Sequence, residues 1–130
     1  MSNENEQINL HLVQYLKKIL IEWELNSEQL ARISHVPVDV MKTYLDLPVS
    51  SLDELPSIPS GLETAMPLVS VYKNLKRLLP EGEKLNEWLV SPHDLFEGNK
   101  PIEVMAMSPN HLSWVSYTLE SQAQEKGFFG

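Results

Sequence analysis

Apolar residues recur at three- and four-residue intervals along most of this chain, a spacing that predicts helices and very little else. Leu12, Leu16, Ile19, Leu20 and Trp23 share one face of a helix starting near Ile8, with residues 1–7 read as a frayed polar tail. Asn26 or Ser27 can cap a short second helix, SEQLARI, by accepting bonds from its free N–H groups. Pro37 suits the first turn of a third helix, PVDVMKTYLD. Residues 47–61, LPVSSLDELPSIPSG, carry three prolines and four serines and read as a linker, with room for one helical turn at Ser51–Leu55. A longer helix then places Ala65, Leu68, Val69, Tyr72, Leu75 and Leu79 on one face, starting near Met66 if Pro67 sits in its first turn, and ending at Pro80 and Gly82. A shorter helix covers Glu83–Val90. Ser108 and Pro109 supply the cap and first position of a last one. No strand-like alternation, internal repeat or low-complexity tract interrupts this reading. The expected architecture is all-α: a three-helix unit over residues 1–46, a linker over 47–61 and a second helical domain over 62–130.

Composition narrows the class. A hydrophobic fraction of 42% over 130 residues suffices for a packed interior. There is no cysteine, hence no disulfide framework and no thiolate metal site. No run approaches the roughly 18 apolar residues of a membrane span. The polar, acidic start MSNENEQ resembles neither a signal nor a transit peptide, so a cytoplasmic location is expected. Ten Lys and Arg against 18 Asp and Glu leave a net charge of −8. Such a field does not draw the chain to phosphate backbones and speeds its association with basic proteins, besides keeping it soluble.

Catalytic raw material is thin. His11, His35, His93 and His111 lie in four different elements, and none pairs with another histidine at the i, i+4 spacing of a helical metal site. His93, Asp94 and Glu97 form the one carboxylate–imidazole grouping, in a segment that reads more simply as a solvated loop. No glycine-rich phosphate loop or nucleophile elbow is present. The expectation is a non-enzyme without catalytic residues, metal or cofactor.

SEQLARISHVPVDVMKTYL has the layout of a helix-turn-helix. Leu30 and Ala31 face inward, Val36 anchors the turn, and Met41, Tyr44 and Leu45 seat the second helix. His35 occupies the place where the turn favours positive φ and many such units have glycine. The residues that would meet base edges are Val38, Asp39, Lys42 and Thr43, then Asp46, of which Lys42 alone is basic. Residues 1–46 hold four basic against seven acidic side chains, a balance that opposes strong DNA binding. A scaffold for folding or dimerisation is the competing reading.

The most punctuated segment, EWLVSPHDLFEGNKPIEVM, carries Trp88 at its start and is followed by Trp114. Taken with VYKNLKRLL before it and LSWVSYTLES after it, the pattern resembles the toxin-binding domain of the MbcA/ParS/Xre antitoxin family. The matching positions are Val71, Tyr72, Leu75, Trp88, Leu89, Pro92, Phe96, Gly98, Pro101, Ile102, Val115 and Leu119. The preceding helix-turn-helix and Trp23 also fit the family's arrangement, so the resemblance covers about residues 10–127. His93 stands where the family usually has asparagine, and AMSPN lacks a glycine that many members carry. Physically, Trp88 and Leu89 are expected to close the core, with a large ring burying area worth about 2–3 kcal/mol. Pro92 stops a helix, Gly98 reverses the chain at positive φ and Pro101 opens the next helix, so the segment serves as a rigid corner.

Family resemblance implies an antitoxin that occludes the cleft of a RES-domain, NAD-consuming toxin through its C-terminal domain. It also implies a homodimer that represses its own operon by binding operator DNA. On a helical wheel Leu112, Val115, Leu119 and Ala123 share one arc of the last helix, leaving Trp114, Tyr117 and Ser121 on the other as candidate toxin-binding residues. Phe128 and Phe129 are a further candidate contact, and Val38, Lys42 and Thr43 are the candidate DNA contacts. Lys73, Lys76 and Arg77 cluster on one face of the long middle helix, a solvated face near a helix end or a phosphate-binding patch.

Overall fold

The computed structural model describes residues 4–48, 61–79 and 85–125. Seven α-helices occur among them: α1 Glu4–Glu22, α2 Ser27–Ser34, α3 Val38–Leu45, α4 Met66–Leu78, α5 Leu85–Leu89, α6 Pro101–Met107 and α7 Pro109–Glu125. Single 3-10 turns occupy Glu63–Ala65 and Asp94–Phe96, and no strand occurs among the described residues. The expected turn at Ser51–Leu55, the helix stop at Pro80 and Gly82, and the pair Phe128 and Phe129 lie outside the described residues.

Two helix boundaries and the burial of one side chain differ from expectation. Helix α1 begins at Glu4, so residues 4–7 already follow a helical backbone and are not a frayed tail. Pro37 precedes α3 rather than joining its first turn: its ψ of 140° is extended, and its carbonyl accepts the first helical bond, from Met41 N–H at 3.0 Å. Trp88 does not plug the core: Leu89 is buried, whereas Trp88 stays half-buried at its edge.

One core unites residues from both sides of 49–60. Leu12, Leu16, Ile19 and Trp23 meet Leu30, Ile33 and Met41, and the same cluster continues through Leu68, Tyr72 and Leu75 to Leu112, Val115 and Leu119. Each fully buried Leu or Ile contributes about 1.5–3 kcal/mol. Helix α4 lies along α7 and against α1, while α6 bridges α7 and α2.

Helix ends are built by local chemistry. Asn26 caps α2 reciprocally, its Oδ1 accepting from Gln29 N–H at 2.8 Å while Gln29 Oε1 accepts from Asn26 N–H at 2.9 Å. Ser108 Oγ accepts from His111 N–H at 3.1 Å and shares a second hydrogen bond with His111 Nδ1 at 2.7 Å. Three reversals put a non-glycine residue in the left-handed region: Glu24 at φ 55°, His35 at φ 58° and Glu97 at φ 58°. Each shows the paired bonds of a Schellman motif, as in Val36 N–H to Ala31 O at 3.1 Å and His35 N–H to Arg32 O at 3.3 Å.

His35 ties the two halves of the chain together. Pro109 has no N–H, so the Met105 carbonyl four residues earlier has no helical donor. His35 Nε2–H supplies one at 2.7 Å, and Thr64 Oγ1 donates to the His35 carbonyl at 3.1 Å. The turn between α2 and α3 is thereby bonded both to the end of α6 and to the start of the segment leading into α4.

Candidate functional site

The chain turns its corner between Leu89 and Pro101. Phe96, fully buried, is the hub. Its ring meets Trp88 edge to face at 6.0 Å and Trp114 edge to face at 5.5 Å. His93 lies against Trp88 with ring centroids 4.9 Å apart, and its Nε2–H donates to the Trp88 carbonyl at 3.0 Å. An unbroken file of rings thus runs from α5 to α7, and edge-to-face contacts of this kind favour one relative orientation.

The backbone holds this file in place. The Gly98 N–H donates to the His93 carbonyl at 2.8 Å, and His93 and Asn99 form an isolated antiparallel bridge. Gly98 has φ 81°, yet a Cβ there would meet nothing within 4 Å. The requirement for glycine is therefore conformational, as expected for the reversal. Pro101, buried, occupies the first turn of α6.

On α7 the buried arc is Leu112, Val115, Leu119 and Ala123, as the wheel predicts. Trp114 is 41% exposed and Tyr117 70% exposed, one turn apart, with Ser121 half-buried one turn further on. Trp114 makes its ring contact with Phe96, so it is held from behind while its remaining surface faces solvent. Tyr117 borders a shallow groove of about 280 Å³ between the start of α4 and α7, lined also by Met66, Pro67, Ser70, Ser113 and Glu120. Val90 and Leu95 in the corner segment, and Met107 at the end of α6, are further exposed apolar side chains. The groove wall on α4 was not foreseen from sequence. Its signal is the small residues Ser70, Ser113 and Ser116, which leave space between two tightly packed helices.

The candidate DNA contacts, Val38, Lys42 and Thr43, are all exposed on α3. Thr43 Oγ1 donates to the Asp39 carbonyl at 2.8 Å, so its hydroxyl proton is engaged within its own helix. Val38 edges a second shallow groove, shared with Glu28, Arg32 and Pro37.

His93, Asp94 and Glu97 do not converge as a ligand set. Among the described residues no three His, Asp or Glu side chains gather closely enough to hold a metal ion. His93 instead serves the ring file, a role its position beside Trp88 in sequence only hints at.

The cluster anticipated from Lys73, Lys76 and Arg77 is larger than expected. It faces Tyr15 and Lys18 of α1 across a groove of about 350 Å³. Tyr72 O–H donates to Glu22 at 2.8 Å, and Lys76 Nζ lies 3.4 Å from Glu22 and 3.3 Å from the Tyr72 oxygen. Burial, then the bond to Glu22, raises the Tyr72 pKa; the bond to Tyr72 raises that of Lys76.

No helix among the described residues is long and apolar enough to cross a membrane. Comparison with known proteins finds no family model, no curated protein and no solved structure that matches this chain.

Proposed function

We propose that this chain is a cytoplasmic antitoxin-type binding protein, without chemistry of its own, that blocks a partner protein with the exposed face of α7. The observation that carries the reading is the pair Trp114 and Tyr117, displayed opposite the buried arc of the same helix. Trp114 is braced by Phe96, so little freedom remains to be lost when it enters a pocket, a feature of energetic anchors at interfaces. The sequence resemblance supplies the partner class, a RES-domain toxin that consumes NAD, and suggests a homodimer as the working form. Phe128 and Phe129 extend the candidate contact in sequence.

Co-expression with the RES-domain protein encoded next to it tests the reading. The expected outcome is a co-purifying complex and relief of growth arrest, both lost in Trp114→Ala/Tyr117→Ala while the helical circular-dichroism spectrum is retained. Absence of a complex at micromolar concentrations defeats the proposal.

A second reading is a DNA-binding regulator acting through α2 and α3, as a helix-turn-helix that also represses its own operon. It is favoured by the left-handed turn at His35 and the exposure of Val38 and Lys42 on α3. A mobility shift with the upstream DNA decides it, and Lys42→Ala should weaken any complex seen.

A further inference from the structure

Of the ten Lys and Arg residues in the chain, four line a single groove: Lys18 on α1, and Lys73, Lys76 and Arg77 on α4. This is a local concentration of positive charge on a protein whose net charge is −8. The carboxylate of Glu22 stands beside it, and that carboxylate already accepts from Tyr72 and pairs with Lys76 at 3.4 Å.

The lysines are held rather than splayed. Lys18 Nζ lies 5.5 Å and Lys73 Nζ 5.3 Å from the centroid of the Tyr15 ring, while Lys76 Nζ lies 5.2 Å from that of Tyr72. Ammonium groups drawn to ring faces lose less freedom on meeting an anion than lysines free in solvent. Tyr15 and Tyr72 themselves meet edge to face at 6.3 Å, which fixes both rings.

We propose that the groove between α1 and α4 binds a compact phosphate anion of the pyrophosphate or nucleoside-polyphosphate class. Its volume of about 350 Å³ accommodates such a ligand. A long polyanion is disfavoured because it would extend beyond the groove over the acidic remainder of the surface. A compact anion is screened from that surface beyond about 8 Å at physiological ionic strength. The site is separate from the Trp114 and Tyr117 face and does not depend on the antitoxin reading.

The test is titration of the full-length chain with inorganic pyrophosphate, followed by ¹H–¹⁵N chemical shifts. Saturable shifts confined to α1 and α4 around Lys18 and Lys73 are expected. Affinity should fall at least about tenfold in Lys18→Gln/Lys73→Gln, in line with losing two charge contacts, and stay unchanged in Lys42→Ala. Lys18 is exposed and Lys73 half-buried, both on the groove lining, and an unaltered circular-dichroism melt of the double variant shows that the fold is intact. Three results overturn the proposal: no saturable shift at about millimolar pyrophosphate, equal affinity in the double variant, or equal competition by sulfate, which marks a loose counter-ion atmosphere. A single-stranded oligonucleotide bound about tenfold more tightly through the same lysines overturns the choice of a compact ligand.

Discussion

His35 carries two opposing energies that substitution can separate. Holding a residue with a Cβ in the left-handed region costs about 1–2 kcal/mol, and glycine there avoids that at an entropic cost of about 0.5–1 kcal/mol. At Glu97, exposed at φ 58°, no side-chain bond offsets the strain, so Glu97→Gly should stabilise the fold by about 0.5–1 kcal/mol. At His35 the same relief is opposed by loss of the 2.7 Å bond to the Met105 carbonyl. That carbonyl has no helical donor, because Pro109 has no N–H, so its loss costs about 1–2 kcal/mol. His35→Gly should therefore be neutral to destabilising by about 1 kcal/mol, and His35→Ala, which keeps the strain and loses the bond, destabilising by about 1–2 kcal/mol. Urea unfolding followed by circular dichroism resolves these differences through shifts in midpoint at constant slope. If His35→Gly proves as stabilising as Glu97→Gly, the ring bond contributes nothing and His35 is not the tie between the two halves.

Three further outcomes follow from the same structure. Phe96→Ala should cost about 3–5 kcal/mol and alter the fluorescence of Trp88 and Trp114, the two rings it contacts; thermal unfolding and emission spectra check both. Asn26→Ala removes one side of the capping box and should cost about 1 kcal/mol in urea unfolding, with Asn26→Ser close to neutral. Tyr72 and Lys76 both have folded pKa values raised above their ordinary 10.0 and 10.5, by burial and the Glu22 bond for Tyr72 and by the Tyr72 bond for Lys76. Their contribution is thus fully present below about pH 10 and lost as pH rises through the folded values, so Tyr72→Phe should flatten the alkaline fall in stability; urea midpoints between about pH 9 and pH 11 measure it.

Most of the helices were legible because their causes are local. The spacing of Leu12, Leu16, Ile19 and Trp23, the Asn26 and Ser108 caps, Pro67 near the start of α4 and the reversal at Gly98 all act within a few residues. Boundaries slipped where two local solutions were close in energy, as at Pro37, which can open a helix or precede it. Glu24 and Glu97 in left-handed conformations were not legible, since the paired hydrogen bonds of each reversal outweigh a preference that disfavours both residues there. On α7 the buried arc was legible, but the brace behind Trp114 was not, because Phe96 reaches it from another element.

By itself the sequence determined an all-helical chain, the arc of α7 that goes inside and the place of the corner, because periodicity, caps and turn residues act over one or two turns of backbone. Only the tertiary structure decided which polar groups meet. His35 and the Met105 carbonyl are 70 residues apart, Tyr72 and Glu22 are 50 apart, and the basic groove takes one wall from α1 and the other from α4. Such meetings depend on how helices cross once their apolar faces are buried, and that crossing is set by the packing of many side chains at once rather than by any neighbour in sequence.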